Sequence, residues 1–596
     1  MKQRLISAIP VAAGRGRPPD SPARAAVLAV ALGLGGAGIG AAALLPATAA
    51  DPADAKRKSR PNVVVVMSDD QTAESMRVMS NVNGRVARFG TSFANSFVSF
   101  PLCCPSRATF LTGQYAHNHG TEGNRPPVGG FAKFNAEHGG NILPGWLQDD
   151  GYYTVEVGKY LNGYGTPDNE TLVPAGWNEW YGAVDVVQSV YGYGINQNGT
   201  VVRYGDAPED FKQDVITRRA VDVVNRRAPS DQPFFLYVNY TAPHSGGPNP
   251  NPNPPTNCNN TAKPAPRHAH AFDGQPLPQP PGYNELDVSD KPPDVADLDP
   301  ISTSDRAAIA RRYRCRLESI LSVDEGVGSI IDSLRAQHEL GDTLLVYTSD
   351  NGFFHGEHRV QNGKTRHYEP SSRVPLVMRG PGVPEGNTVR ELAVNADLAK
   401  TILDATGASA GLNQDGRSLL GLAEHPKREL GREIVIESQT YSAIRNARFK
   451  YVEHTAGRSA GAVELYDLEK DPFELQSQHA NPAYAPLRVQ LAARLDVLRD
   501  CAGDGCRTEP RLKLKLKKRH RCVRRGSNAK IRGPDAKLLG DVSFTVDGKD
   551  DGHDGGTPFS EKLGKLKPGR KSKVRATAEM TDGRRTTLDK KVKACG

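Results

Sequence analysis

Beyond residue 45, no stretch of this 596-residue chain is long and apolar enough to cross a bilayer, which excludes a polytopic membrane protein. Aromatic residues are few, 7% with three tryptophans, and there are only eight cysteines. No papain-like or caspase-like context surrounds Cys103, which ranks a thiol-protease reading low. Strong compositional bias is also missing. Apolar residues make up 38% and charged residues 24%, a globular balance rather than that of a disordered polymer. At this length one ordinary core is not enough, and two or three domains are expected.

The single apolar run, residues 25–45, follows Lys2, Arg4, Arg15, Arg17 and Arg24 and precedes Ala47-Thr48-Ala49. A basic leader, an apolar stretch and a small-residue cleavage pattern read as a secretory signal peptide over residues 1–50. A retained membrane anchor is the alternative. The Ala-x-Ala pattern and the many glycines favour cleavage and a secreted, extracellular protein. Six cysteines remain once Cys103 and its neighbour Cys104 are set aside. An even number in an exported chain suggests disulfides. Proximity favours Cys501–Cys506, with Cys522–Cys595 closing the tail and Cys258–Cys315 left over, one of fifteen possible connectivities.

A polar, basic linker covers residues 51–60. Residues 62–67 (NVVVVM) form a continuous β-branched run, as a strand buried on both faces of a parallel sheet requires. Residues 151–157, 234–239 and 343–348 read the same way, with helical patterns between them such as residues 316–335. Alternating strands and helices argue for an α/β sheet covered on both faces. Residues 246–284, rich in Pro and Asn, read as a long loop, of the kind that is usually functional or disordered. From about residue 430 the strands shorten, at 433–437 and 448–453, before a helix near 484–499. This divides the chain into a catalytic domain over 51–429, a C-terminal subdomain over 430–500 and an accessory domain over 501–596. The tail beyond Cys501 holds 26 Lys and Arg against 12 Asp and Glu, so it is +14 while the rest of the +9 chain is −5. Residues 511–517 alternate strictly between basic and apolar, and residues 542–546 followed by Asp547-Gly548 mark a hairpin. A small basic β-sandwich results, suited either to docking on an anionic polymer or to presenting a solvated charged face on a spacer. No nucleic acid partner is expected.

The most informative segment is Pro101-Leu102-Cys103-Cys104-Pro105-Ser106-Arg107, trailed by Leu111-Thr112-Gly113. Pro105 suits the first turn of a helix, and residues 106–111 continue it with apolar spacing. Cys103 therefore sits at a helix N-terminus, where free N–H groups and the dipole favour anions, with Arg107 one turn in. A buried Cys pair at a turn, or a thiolate with a lowered pKa, are the other readings of those residues alone. Asp69 and Asp70 follow the 62–67 strand directly, and Asp350 and Asn351 follow the 343–348 strand. Ligands in doubly wound sheets bind beyond the carboxyl ends of strands. Four oxygen donors suit a hard cation, Ca²⁺ or Mg²⁺, rather than zinc.

Cys-x-Pro-Ser-Arg with Leu-Thr-Gly, together with SDDQ and SDNG, resembles the formylglycine-dependent (type I) sulfatases over residues 60 to about 475. GKYLN and HNHG look closest to N-acetylglucosamine-6-sulfatases and extracellular endosulfatases. The resemblance implies an alkaline-phosphatase-like fold: a large mixed, mostly parallel sheet flanked by helices, with a smaller C-terminal antiparallel sheet carrying the LYDL…DP stretch and, here, the added β domain. It implies a formylglycine made from Cys103 by a formylglycine-generating enzyme, and a divalent cation held by Asp69, Asp70, Cys103, Asp350 and Asn351. It further implies that Arg107, Lys159 and Lys364 hold the sulfate and that His244 serves in proton transfer. The aldehyde hydrate would attack sulfur through one hydroxyl, and deprotonation of its second hydroxyl would expel sulfate. Leu161 departs from the pattern, because many arylsulfatases have His there. His117 and His119 are read as structural supports, and His355 and His367 carry no assignment. The implied activity is hydrolysis of sulfate esters, with a 6-O-sulfated amino sugar or an aryl sulfate as substrate. A phosphodiesterase or phosphonate monoester hydrolase of the same superfamily is the alternative.

Overall fold

The computed structural model describes residues 60–185, 187–246, 258 and 260–595; the expected signal peptide lies outside them. Ten strands form the main sheet: β1 (Asn62–Ser68), β2 (Thr91–Phe93), β3 (Tyr153–Gly158), β4 (Glu179–Val184), β5 (Tyr193–Gln197), β6 (Thr200–Tyr204), β7 (Phe234–Asn239), β8 (Thr343–Ser349), β9 (Leu376–Arg379) and β10 (Asn387–Val389). Their spatial order is β10-β2-β9-β8-β1-β7-β3-β4-β5-β6. The middle five, β8-β1-β7-β3-β4, run parallel, and the strands β9, β5 and β6 outside them pair antiparallel.

The reason β1 is an unbroken apolar run is visible in its packing. Val63 and Val65 face a core built with Ala108, Phe110 and Leu111 of helix α1 (Cys103–Thr112). Val64 and Val66 face the opposite core, with Val323 and Val327 of helix α3 (Thr303–Ala336), which packs beside helix α2 (Lys212–Arg227). All four valines are fully buried, each contributing roughly 1.5–3 kcal/mol of burial. α3 is longer than the 316–335 pattern predicts. Ser302 caps it, its hydroxyl accepting from the Asp305 N–H at 3.1 Å. Of its first thirteen residues only Ile309, Tyr313 and Cys315 are buried, too sparse an apolar stripe to read as a helix from periodicity. α1 likewise starts earlier than the 106–111 pattern, with Cys103 its first helical residue and Leu102 in extended backbone before it.

After the main sheet comes a four-stranded antiparallel sheet (Ile434–Glu437, Tyr441–Arg445, Phe449–His454, Val463–Asp467). The helix Ala485–Leu498 packs on it through Leu491, Leu495 and Leu498. The tail folds as three small antiparallel sheets. Leu514 and Ile531 of one share a core with Val542, Phe544 and Val574 of another, as a β-sandwich does. Asp547 and Gly548, at φ 50° and 76°, make the two-residue hairpin turn. The tail is seated on the preceding sheet: the Asn446 side-chain amide donates to the Asp582 carbonyl at 2.8 Å, and Leu430 bridges Thr586. The three disulfides are Cys258–Cys315, Cys501–Cys506 and Cys522–Cys595, leaving Cys103 and Cys104 as buried thiols.

Candidate active site

Four neighbouring parallel strands end at one place. β1 delivers Asp69 and Asp70, β8 delivers Asp350 and Asn351, β3 delivers Lys159, and β7 ends in Asn239 and leads on to His244. The strand ends are tied together by backbone. The Asp350 N–H donates to the Ser68 carbonyl at 3.1 Å, and the Lys159 N–H donates to the Asn239 carbonyl at 3.0 Å. Gly158 makes the second contact possible: at φ 115°, a Cβ there would lie 2.0 Å from the Asn239 carbonyl oxygen. Asp70 takes the left-handed conformation, φ 68°, a strain that sites of function commonly store.

Every residue named for the site from sequence is in this cluster. Cys103, 1% exposed, directs its thiol at Asp69 Oδ1, 3.6 Å away, and lies 3.2 Å from Lys364 Nζ. Lys159 is paired with Asp69 and Lys364 with Asp70. Arg107 is fully enclosed. Its Nε donates to Asp350 Oδ2 at 2.8 Å, and its Nη1 donates to the Lys159 carbonyl at 2.8 Å and to Asn239 Oδ1 at 3.0 Å. Only Nη2 is left without a partner, so most of this cation is spent on orienting Asp350 and the Lys159 backbone. His244 is the most exposed member, its Nδ1–H donating to the Ser245 carbonyl at 2.9 Å and its Nε2 3.8 Å from Asp70. Cys103 sits among the charges as a thiol. Burial pushes it up to about 12 in spite of Lys159 and Lys364, the opposite direction from the one the thiolate reading needs. Burial also raises the Asp69 carboxyl, but Lys159, His244, Lys364 and Arg107 outweigh it and hold the group below the ordinary carboxylate range.

The donor set fits a hard cation. Three carboxylates, all at most 2% exposed, converge with one amide. Asn351 Nδ2 donates to Asp70 Oδ1 at 2.6 Å, and Asn351 Oδ1 is buried with no hydrogen-bond partner, as an oxygen reserved for a metal would be. Side-chain atoms of Asp69, Asp70, Cys103 and His244 lie within 4.8 Å of one another. Asp350 is placed differently, its oxygens taken by the Asp70 N–H at 3.1 Å and by Arg107.

Several members escaped the sequence reading. Asn239 bridges Arg107 and Glu156, its amide 3.4 Å from Glu156 Oε1; its position at a strand's carboxyl end was the available signal. Arg316, stacked 3.8 Å over the Phe353 ring, donates to the Asp70 carbonyl. It is one of three charged residues, with Glu318 and Asp324, on the buried face of α3. The cavity above the cluster holds about 480 Å³ and is bordered by Asp70, His244, Lys364, Arg312 and Arg316, and by Asn260 and Thr261 of the Pro/Asn-rich loop. Leu161 does not reach it and is buried in the apolar core. His119 is a buried support held by Thr109 and Thr121, and His117 bonds Glu437 and the Cys501 carbonyl. His355 is kept neutral by burial beside Arg316 and Arg312. His367 bonds Glu464, away from the cavity's border.

Known proteins resemble this chain over most of its length. The sulfatase family model matches residues 61–408, and the model of the N-sulphoglucosamine sulphohydrolase C-terminal region matches residues 356–501. An extracellular sulfatase Sulf-1 homolog of Caenorhabditis elegans is 33% identical over 62% of this chain; the alignment spans half the length of that relative. N-acetylglucosamine-6-sulfatase of Capra hircus is 30% identical over 76% of this chain and 86% of its own. Among solved structures, one in complex with its substrate D-glucosamine-2-N,6-O-disulfate superposes with a TM-score of 0.59 at 23% identity, covering 73% of this chain and 97% of that one. The phosphonate monoester hydrolase of Agrobacterium radiobacter superposes at 0.56 with 21% identity over 74% and 95%. These superpositions establish the alkaline-phosphatase-like fold.

Proposed function

The chain belongs to the sulfatase family of sulfuric ester hydrolases, and from that premise we propose that it is a secreted enzyme removing sulfate from a sugar hydroxyl, with Cys103 matured to formylglycine. The observation that carries this is the setting of Cys103. It is the first residue of a helix, 1% exposed, beside two lysine ammoniums and the Asp69 carboxylate. A residue meant to stay a thiol gains little from that placement, whereas an oxygen nucleophile opposite a tetrahedral sulfate-ester anion uses every part of it.

Asp69, Asp70, Asp350, Asn351 and residue 103 would hold Ca²⁺ or Mg²⁺, which stabilises developing negative charge on oxygen when bound. The chain's own groups do the rest. Lys364, on the cavity's border, and Lys159, buried beside Asp69, would set two positive charges against the sulfate oxygens. Arg107 fixes Asp350 and the Lys159 backbone, so that both keep their places as charge redistributes. His244 carries its proton on Nδ1, held by the Ser245 carbonyl. Its Nε2, 3.8 Å from Asp70 at the cavity's border, would take the proton of the hydrate's second hydroxyl when the ring is neutral and give one to the leaving alcohol when the ring is protonated. A sugar substrate is supported by the names of the relatives and by Asn260 and Thr261 at the rim, polar groups from the loop that follows His244. Relatives named as extracellular support secretion, and the alternative of phosphonate hydrolysis rests on a fold-level neighbour. Mass spectrometry of the peptide containing residue 103, from protein co-produced with a formylglycine-generating enzyme, tests the proposal. An aldehyde at 103 is expected. A free thiol at Cys103 in fully active protein overturns it.

A further inference from the structure

A second large concavity is lined by none of the residues of this site. A groove of about 1280 Å³ runs between the tail sandwich and the segment following residue 423, and eight lysines and arginines line it against two acids, Glu424 and Asp589. Lys513 and Lys515 come from the strand Lys513–Leu516, whose alternation buries Leu514 and Leu516 and exposes both lysines. Lys573, Lys590 and Lys591 come from the strands Lys571–Met580 and Arg585–Lys593, and Lys427 from the catalytic domain. The two walls are joined: the Thr587 N–H donates to the Glu429 carbonyl at 2.8 Å, and Leu430 bridges Thr586.

The strand register places like charges directly across from one another. Lys573 faces Lys591, Lys571 faces Lys593, Lys515 faces Lys530 and Lys513 faces Arg532. Directly opposed like charges destabilise a sheet, so this arrangement costs folding energy wherever nothing anionic lies on it. Asp589 compensates Lys573 and Arg575. Lys427, Lys513, Lys515 and Lys591 pair with no carboxylate among the described residues. Alternate residues on a strand repeat every ~7 Å, so the groove presents a ladder of cations rather than a point site.

We propose that this groove is a composite binding site for a sulfated polysaccharide, separate from the catalytic cavity, which holds a polymeric substrate on the enzyme between hydrolytic events. The choice of polymer rests on the sulfatase reading; the existence of an anion-binding groove does not. Its lining contains no Phe, Tyr or Trp, the side chains on which single-stranded nucleic acids stack, and its charge matches a chain bearing many sulfates.

The experiment uses the full-length protein and heparin as probe. The triple substitution Lys513→Glu/Lys515→Glu/Lys591→Glu is expected to weaken heparin affinity by about tenfold or more at physiological salt, where charge is screened over about 8 Å. Lys427→Glu alone, on the other wall, is expected to weaken it measurably. The control Arg519→Glu/Arg521→Glu/Arg524→Glu alters net charge equally at exposed residues outside the groove and is expected to change affinity by less than about twofold. Activity on a small aryl sulfate should be unchanged in all three, while kcat/KM on long sulfated chains falls only in the groove variants. Equal weakening by groove and control variants overturns the proposal, as does unchanged affinity in the groove triple. Equal binding of desulfated polymer, or tighter binding of duplex DNA, overturns it as well. Retained heparin binding by a protein inactive on every sulfate ester would fail the sulfatase reading and leave the groove standing.

Discussion

Arg107 makes the strongest demand on the fold, and its removal has a calculable cost. Its guanidinium and the Asp350 carboxylate are 1% and 0% exposed, with Nε to Oδ2 at 2.8 Å. Replacing it by methionine keeps the aliphatic stem and leaves Asp350 as an uncompensated buried charge, a loss of about 3–5 kcal/mol. The Lys159 carbonyl and Asn239 Oδ1 also lose a donor, and each unsatisfied buried acceptor adds roughly 1–3 kcal/mol. Together these predict that Arg107→Met lowers unfolding stability by several kcal/mol and abolishes activity. Adding Asp350→Leu removes the stranded charge, so the double variant should lose less than the sum of the singles, with a coupling of at least about 1–3 kcal/mol as expected for residues in contact. Chemical denaturation followed by tryptophan fluorescence is the assay. Trp146, Trp177 and Trp180, all three tryptophans of the chain, lie in the core on the α1 side of the sheet and report on that core directly. A single-variant cost below about 1 kcal/mol, or strict additivity, would refute the assignment of Arg107 as the partner that makes a buried Asp350 tolerable.

Exhaustive chelation should remove activity, and Ca²⁺ or Mg²⁺ should restore it, since the four oxygen donors leave Asn351 Oδ1 unused by protein; full activity after chelation, measured on a small aryl sulfate, counts against a cation. Gly158→Ala should cripple both folding and turnover, because its Cβ would sit 2.0 Å from the Asn239 carbonyl; soluble yield and kcat check it, and a normal enzyme would mean that β3 and β7 can separate at no cost. Stability should decline as pH falls from neutrality. His119, buried, accepts from the Thr121 N–H through Nδ1, and burial holds its pKa down to about 3. The unfolded chain takes up a proton near pH 6.5 that the folded state refuses, so the contribution of His119 is complete above 6.5 and shrinks toward 3, by about 1.4 kcal/mol per pH unit at most. His119→Gln should flatten that decline between pH 6.5 and 4.5 in denaturation midpoints; an unchanged slope would assign the acid lability elsewhere.

What could be read from the chain alone was whatever depends on neighbours in sequence. The β-branched run at 62–67 and the apolar runs at 234–239 and 343–348 are strands because each is buried on both faces, and burial on both faces leaves a pattern of its own. Asp69, Asp70, Asp350 and Asn351 were legible because the carboxyl end of a parallel strand is a position in sequence as well as in space. Cys103 was legible in part from its helix N-terminus, and Lys159 and His244 in part from their strand ends, but their roles and that of Lys364 came from motif resemblance, since nothing about a lone Lys or His distinguishes a ligand from a surface charge. Tertiary structure decided what depends on approach from afar. It turned Arg107 inward onto Asp350, 243 residues distant, and brought Asn239 and Arg316 into the site. It extended α3 back to Thr303, where a cap and a few buried side chains replace periodicity. It also set the tail's lysines opposite one another across strands and against residues 424–428. Alternation predicts that a strand has a basic face, but only strand register and the packing of one sheet on another determine what that face confronts, because those are fixed by contacts that no local pattern records.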